Sequence, residues 1–167
     1  MTHRPSRFGD WVLVALALDA EMVGNGYGQF DLRQSGQRIE VKAAGDVQSW
    51  PQRVPSPISF GISPAVGYIK RPDGSQRTDP ARRRRSDADV FCHHVGAVPD
   101  GPDEWTFYVV PTKQIDKVLG AQKTIRLGPL VKLLRPRVVD FGHLREGVDE
   151  ALGLTPSTTR QAPHPFG

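Results

Sequence analysis

The sequence predicts one α/β domain, and three observations carry that expectation. An apolar helical stretch over residues 11–23 leads into a tight hairpin over 30–42. Runs rich in β-branched and aromatic residues recur at 58–62, 90–95 and 105–110, and helical patterns return at 112–119 and 138–152. A chain of 167 residues with 38 % hydrophobic residues suits a single domain with a modest core. That domain is expected over 10–153, after a loose polar segment 1–9 and before an aperiodic tail 154–167.

Each element has a local cause. Asp10 is placed to cap the first helix, which should end at Gly24, and its apolar residues run nearly all round, so Trp11, Leu13 and Leu18 belong in the core. The alternating Gly24, Gly26 and Gly28 follow a helix and open a strand, the reverse of a nucleotide-binding loop. In the hairpin, Ser35-Gly36 supplies the turn between Leu32 and the strand through Ile39 and Val41. Residues 58–62 read as a third strand. The segment 63–86, rich in Pro, Gly and charge, reads as a long basic surface loop ending in Arg82-Arg83-Arg84-Arg85. Strands 90–95 and 105–110 should pair as a hairpin, with Cys92 and His94 on one face and Phe91 and His93 on the other, so the two histidines need not share a site. Pro111 opens a helix closed by Gly120, a short strand follows at 124–127, and the helix over 138–152 should form a final cover through Leu144, Val148, Ala151 and Leu152.

Composition narrows the partners. With 22 basic and 18 acidic residues, the net charge of +4 allows a polyanionic partner without demanding one. Cys92 is the single cysteine, which excludes an internal disulfide and a four-cysteine zinc site and fits a reducing cytoplasm. No stretch is long enough to cross a membrane, and the apolar run 11–18 meets Asp19 and Glu21 rather than a small-residue cleavage site.

The hairpin gathers the chemistry. Glu40 and Lys42 lie two residues apart on one strand and point to one face, and Asp31, near the start of the first strand, faces the end of the second. Two carboxylates at one site resist joint ionisation unless a cation holds them, so the pair invites a hard divalent metal, Mg²⁺ or Mn²⁺, with the Val41 carbonyl as a further oxygen ligand. Lys42 would then orient a water and offset charge on an attacked phosphate.

Asp31, eight intervening residues and Glu40-Val41-Lys42 resemble the PD-(D/E)XK pattern of the restriction-endonuclease-like nuclease superfamily, with Phe30 in place of its leading proline. The order of helix, hairpin, strand, helix and strand is also similar to that family's core, as are Gln48-Ser49-Trp50, Ser59-Phe60 and the segment 85–91. The resemblance covers residues 10–111. It implies an α+β core with a central mixed β-sheet flanked by helices, and metal-dependent hydrolysis of phosphodiester bonds in nucleic acid, DNA by family likeness. It further implies that Glu21, in the last turn of the first helix, holds a metal through water, and that Gln48 and Trp50 lie against nucleic acid. The arginine run has the electrostatic footprint of a phosphate-binding segment, with Arg82, Arg83 and Arg84 as its grip and Arg85 as a buried partner of Asp89. A catalytically inactive module that binds nucleic acid or a protein is the alternative, and a small structural or toxin-related domain is a third class. A homodimer stays open.

Overall fold

The computed structural model of the chain describes residues 7–22, 32–45, 57–95 and 104–154. Helix α1 (Arg7–Leu18) starts three residues before Asp10 and stops well short of Gly24. Asp19 ends it in the left-handed conformation, at φ 51°. Its N–H donates to the Leu16 carbonyl (3.3 Å), and the Ala20 N–H donates to the Ala15 carbonyl (2.9 Å), the paired bonds of a Schellman cap with aspartate where glycine is usual. The chain is thereby released into β1 (Glu21–Met22), so Glu21 lies in a strand and not in a helical turn.

The hairpin forms as expected. Strands β2 (Leu32–Gln34) and β3 (Gln37–Gly45) flank Ser35 and Gly36, both at positive φ (49° and 78°), the two-residue turn whose twist matches its strands. Next come β4 (Ser59–Gly61), β5 (Ala65–Lys70), β6 (Gln76–Arg83), β7 (Ala88–His94), β8 (Trp105–Pro111), α2 (Thr112–Leu119) and β9 (Thr124–Arg126). A short turn α3 (Leu127–Pro129) runs into a π-helical turn Leu130–Leu134, then come β10 (Arg137–Val139), a 3₁₀ turn Phe141–His143 and α4 (Leu144–Leu152).

The central sheet is mixed, in the order β1-β2-β3-β7-β8-β10, with β3 and β7 parallel and the other pairs antiparallel. The expected 90–95 and 105–110 hairpin is β7–β8, in register from Ala88↔Pro111 to His94↔Trp105. Three expectations change. The third strand, β4, pairs with β9 outside the central sheet. The segment 63–86 is no simple loop, because β5 and β6 form a hairpin of their own. Its turn carries Asp73-Gly74, with the Gly74 N–H donating to the Arg71 carbonyl and the Ser75 N–H to the Asp73 carboxylate. The last helix begins at Leu144 rather than 138, since Val138 and Val139 pair along β8 and the Asp140 carboxylate caps the following turn through the His143 N–H.

Alternation along the strands sorts side chains into two layers. Ile39, Val41, Val90, Cys92, Phe107 and Val109 face α1 and α4, where Val14, Leu18, Leu144 and Val148 are fully buried. On the opposite face Phe91 and Val110 pack with Phe60, Ile115, Ile125, Leu130 and Leu134, and the Phe60 and Phe91 rings meet edge to face at 5.1 Å. Each such buried side chain contributes about 1.5–3 kcal/mol.

One polar knot fixes the register of β3 on β7. The Arg38 guanidinium and N–H donate to both oxygens of Asp87 (2.8–3.2 Å), while the Asp87 N–H returns a bond to the Arg38 carbonyl (2.7 Å). The Arg38 bonds hold the Asp87 carboxyl below the ordinary aspartate range. Because the folded value is depressed, the contribution is present above the ordinary aspartate pKa and is lost as pH falls through the lowered one. Asp87→Asn should lower stability by about 1–2 kcal/mol near neutral pH, a charged bond discounted for partial exposure. Urea unfolding of both proteins should show the gap closing as the solution is acidified, and a gap independent of pH would rule the ion pair out as its source.

Candidate active site

Strand β3 presents Glu40 and Lys42 on the face away from α1. Their side chains are half-buried, and the Lys42 Nζ donates to Glu40 Oε1 at 3.3 Å. In the parallel ladder Glu40 is the partner of Asp89, and Lys42 of Phe91, so an apolar wall stands one step along the strand from the charges. Glu40, Lys42 and Asp89 line a cleft whose other walls are Ile62 and Ser63 after β4, Ala65, Val66 and Tyr68 of β5, and Arg83 to Ser86.

Asp89 forms the floor. It is 1 % exposed, and its Oδ1 accepts from the Thr112 hydroxyl (2.7 Å) and the Ser86 hydroxyl (2.8 Å), which are themselves 3.0 Å apart. Burial pushes its carboxyl up, against those hydroxyl bonds and the positive charge of Lys42 and Arg84. The Thr112 N–H also donates to the Asp87 carbonyl (3.0 Å), so the start of α2 is stitched to the strand that carries the floor. Sequence reasoning set Asp89 against Arg85 and missed this place beside Glu40. A legible signal was the carboxylate inside the apolar run of β7, where a polar residue needs partners.

Arg85 is buried, as expected, but its partner is Asp79 and not Asp89. Its guanidinium bonds Asp79 (3.1 Å) and the carbonyls of Ala65, Arg83 and Ala81, clamping β5 to β6. A Cβ at Gly67 would run into this guanidinium, so a side chain there would push Arg85 out of its present bonds. Arg84 is committed to the frame as well. It donates to the carbonyls of Ile62 (2.8 Å), Gly120 (2.7 Å) and Gln122 (3.2 Å) and pairs with Asp116 (2.7 Å), with its side chain 6 % exposed. The expected grip on phosphate therefore narrows to Arg82 and Arg83, both exposed on β6, Arg83 in a surface pair with Asp79 at 3.2 Å.

Glu21 reaches the same sheet face by another route than the one expected. It pairs with Arg33 across β1–β2, Arg33 pairs with Arg38 across β2–β3, and Arg38 alternates onto the face of Glu40. Val41 turns its side chain into the core behind the sheet, beside its ladder partner Val90. Asp31, Gln48 and Trp50 lie outside the described residues. Among the described residues, no three His, Cys, Asp or Glu side chains gather as a metal centre. His93 and His94 fall on opposite faces of β7, His94 buried and edge-on to Trp105 at 4.9 Å. No helix among the described residues is long and apolar enough to cross a membrane.

No protein-family model matches the chain, and no curated protein is significantly similar to it.

The arginine run thus divides into structural and surface members, with different expected costs. Arg84→Ala should lower stability by about 2–4 kcal/mol, because it strips three carbonyls and a carboxylate of their donor. Arg82→Ala should stay within about 0.5 kcal/mol, as for an exposed side chain. Chemical denaturation of the two variants tests this, and equal small effects would show that Arg84 is a surface cation like its neighbours.

Proposed function

We propose that the chain is a metal-dependent phosphodiesterase of the restriction-endonuclease-like kind, acting on nucleic acid, with DNA as the expected substrate. The observation that carries this reading is the Glu40–Lys42 pair, half-buried in a cleft beside the polar floor at Asp89. A surface ion pair of ordinary kind has no need of a cleft.

The residues proposed as donors are of the kind a hard cation takes. Mg²⁺ and Mn²⁺ accept one or two carboxylates and otherwise water and phosphate oxygens, and Glu40 supplies the accessible carboxylate on β3. Asp31, joined directly to Leu32 at the start of β2, is proposed as the second ligand, with the Val41 carbonyl as a third and Glu21 acting through water. Asp89 is less suited to a metal, since two hydroxyls occupy its Oδ1 and burial favours its neutral form. Its role here is to hold the floor against α2.

When bound, the ion supplies Lewis-acid polarisation of a phosphoryl oxygen and raises the acidity of water at neutral pH. The chain's own groups do the rest. Glu40 holds Lys42 at 3.3 Å, so the ammonium is fixed beside the carboxylate rather than free to sweep solvent. From there it orients the attacking water and offsets the negative charge that builds on the phosphate oxygens. Phe91, its ladder neighbour, belongs to the buried apolar layer that borders the site. Gln48 and Trp50 remain proposed contacts to the nucleic acid.

The test is incubation of purified protein with labelled duplex, single-stranded and branched DNA and with RNA, in Mg²⁺, Mn²⁺ or chelator. Glu40→Gln, Asp31→Asn and Lys42→Ala should each cut metal-dependent cleavage by about 10²-fold or more while the protein stays folded by circular dichroism. Cleavage by all three at the wild-type rate would place the chemistry elsewhere. Binding without cleavage under every metal would favour the inactive module.

A further inference from the structure

We propose that the β5–β6 hairpin is an arm that seats along duplex nucleic acid and delivers it to the Glu40–Lys42 cleft. This rests on the nucleic-acid reading above and extends it to a surface and a form of substrate.

The hairpin contributes almost nothing to either core. In β5 only Gly67 is buried, and in β6 only Asp79 reaches intermediate burial, so both faces of the ribbon meet solvent. A two-stranded ribbon without a covered apolar face is marginal in water. This one is held at its base by buried arginines, Arg85 clamping strand to strand and Arg84 fastening the following residue to Ile62, Asp116, Gly120 and Gln122. A chain that roots an otherwise unsupported element so firmly presents it to something outside.

Charge identifies the partner. From Ala65 to Arg83 the cations are Lys70, Arg71, Arg77, Arg82 and Arg83 and the acids are Asp73 and Asp79, a net +3 out of the +4 carried by the whole chain. Both acids are engaged by the chain's own groups, Asp73 in the exposed turn bonded to Ser75 and Asp79 bonded to Ala81, Arg83 and Arg85. The five cations are all exposed. A second copy of the chain is the poorer fit, because two such ribbons would bring like charges together.

Position and shape specify the rest. Ala65, Val66 and Tyr68 of the ribbon line the same cleft as Glu40 and Lys42, so a strand seated along the arm runs into the site. The register puts Tyr68 with Thr78 and Lys70 with Gln76 on one face, and Ile69 with Arg77 on the other, so cations sit on both faces near the tip. The major groove of a duplex, about 12 Å wide, admits a two-stranded ribbon with phosphates on both sides, whereas a single strand offers only one line of phosphates. Carboxylates alone would repel a phosphodiester at the cleft, and the adjoining arm supplies the opposing field.

The experiment uses the full chain, with anisotropy of labelled duplex and single-stranded DNA in chelator across a salt series. Wild type is compared with the combined variant Lys70→Ala, Arg71→Ala, Arg77→Ala, and sedimentation and thermal melting are run on both. The variant should melt like wild type, bind duplex roughly 10-fold or more weakly, and lose about 2–3 from the slope of log affinity against log salt, at about 0.9 per phosphate contact. Single-strand binding should change less. An unchanged duplex slope with normal wild-type binding overturns the arm and leaves the nuclease reading in place. An equal loss on the single strand overturns the duplex assignment, and a wild-type dimer that dissociates in the variant with DNA affinity unchanged makes the ribbon a self-association surface. Wild-type protein that binds neither DNA overturns the arm together with the nucleic-acid reading. Arm-dependent binding without cleavage in Mg²⁺ or Mn²⁺ sustains the arm and sinks the nuclease alone.

Discussion

The parallel seam between β3 and β7 is the constraint on which the rest depends. Each of these strands belongs to a local antiparallel hairpin, β2–β3 and β7–β8, and the seam is the one place where the two halves of the central sheet join. A slip of one residue there would send Ile39 and Val41 to the polar face and turn Glu40 and Lys42 into the layer under α1. The apolar alternation opposes that slip, and the reciprocal bonds between Arg38 and Asp87 add a polar lock at the start of the ladder. Because the lock sits two residues before both Glu40 and Asp89, the same contact that sets the sheet also sets the cleft.

The seam also explains how one face holds both a packed layer and the polar cleft. Behind the sheet an apolar cluster packs against α1 and α4, with Gln34 and His94 buried on the same face. In front, the polar residues occupy the end of the ladder where β3 and β7 begin, and Phe91, Val110 and Phe60 take over further along. Asp89 is the boundary. Its hydroxyl partners Ser86 and Thr112 come from the segment before β7 and the first turn of α2, so the buried carboxyl ties the polar end to the apolar layer above it.

Much of this was legible in the sequence, for physical reasons that differ between elements. The β2–β3 hairpin was readable because Ser35-Gly36 satisfies a demanding turn geometry between alternating runs, and that spacing alone placed Glu40 and Lys42 on one face. Helix α2 was readable from its proline start and glycine end. The end of α1 was not, because Asp19 took the left-handed position that Gly24 seemed to offer. The β5–β6 hairpin was hidden by its composition. Charge and proline suggested a loop, although Asp73-Gly74 between Val66, Tyr68 and Ile69 on one side and Thr78 on the other carried a hairpin signal. The arginine run misled in the same way, since four like charges in a row look solvated, and only the fold reveals which guanidinium forks find carbonyls. Asp89 was visible as a residue but not as a neighbour of Glu40, since a parallel pairing leaves no turn to announce it.

The long reach of the seam bears on how the protein comes into being. Arg38 and Asp87 are 49 residues apart in the chain, and closing a loop of that length costs about 3 kcal/mol of entropy before any ladder bond repays it. The local hairpins are expected within microseconds, and the joining of the two halves later and more slowly. On the ribosome, β3 emerges well before β7, so Glu40 and Lys42 wait on a ribbon without a floor until the residues through Thr112 have followed.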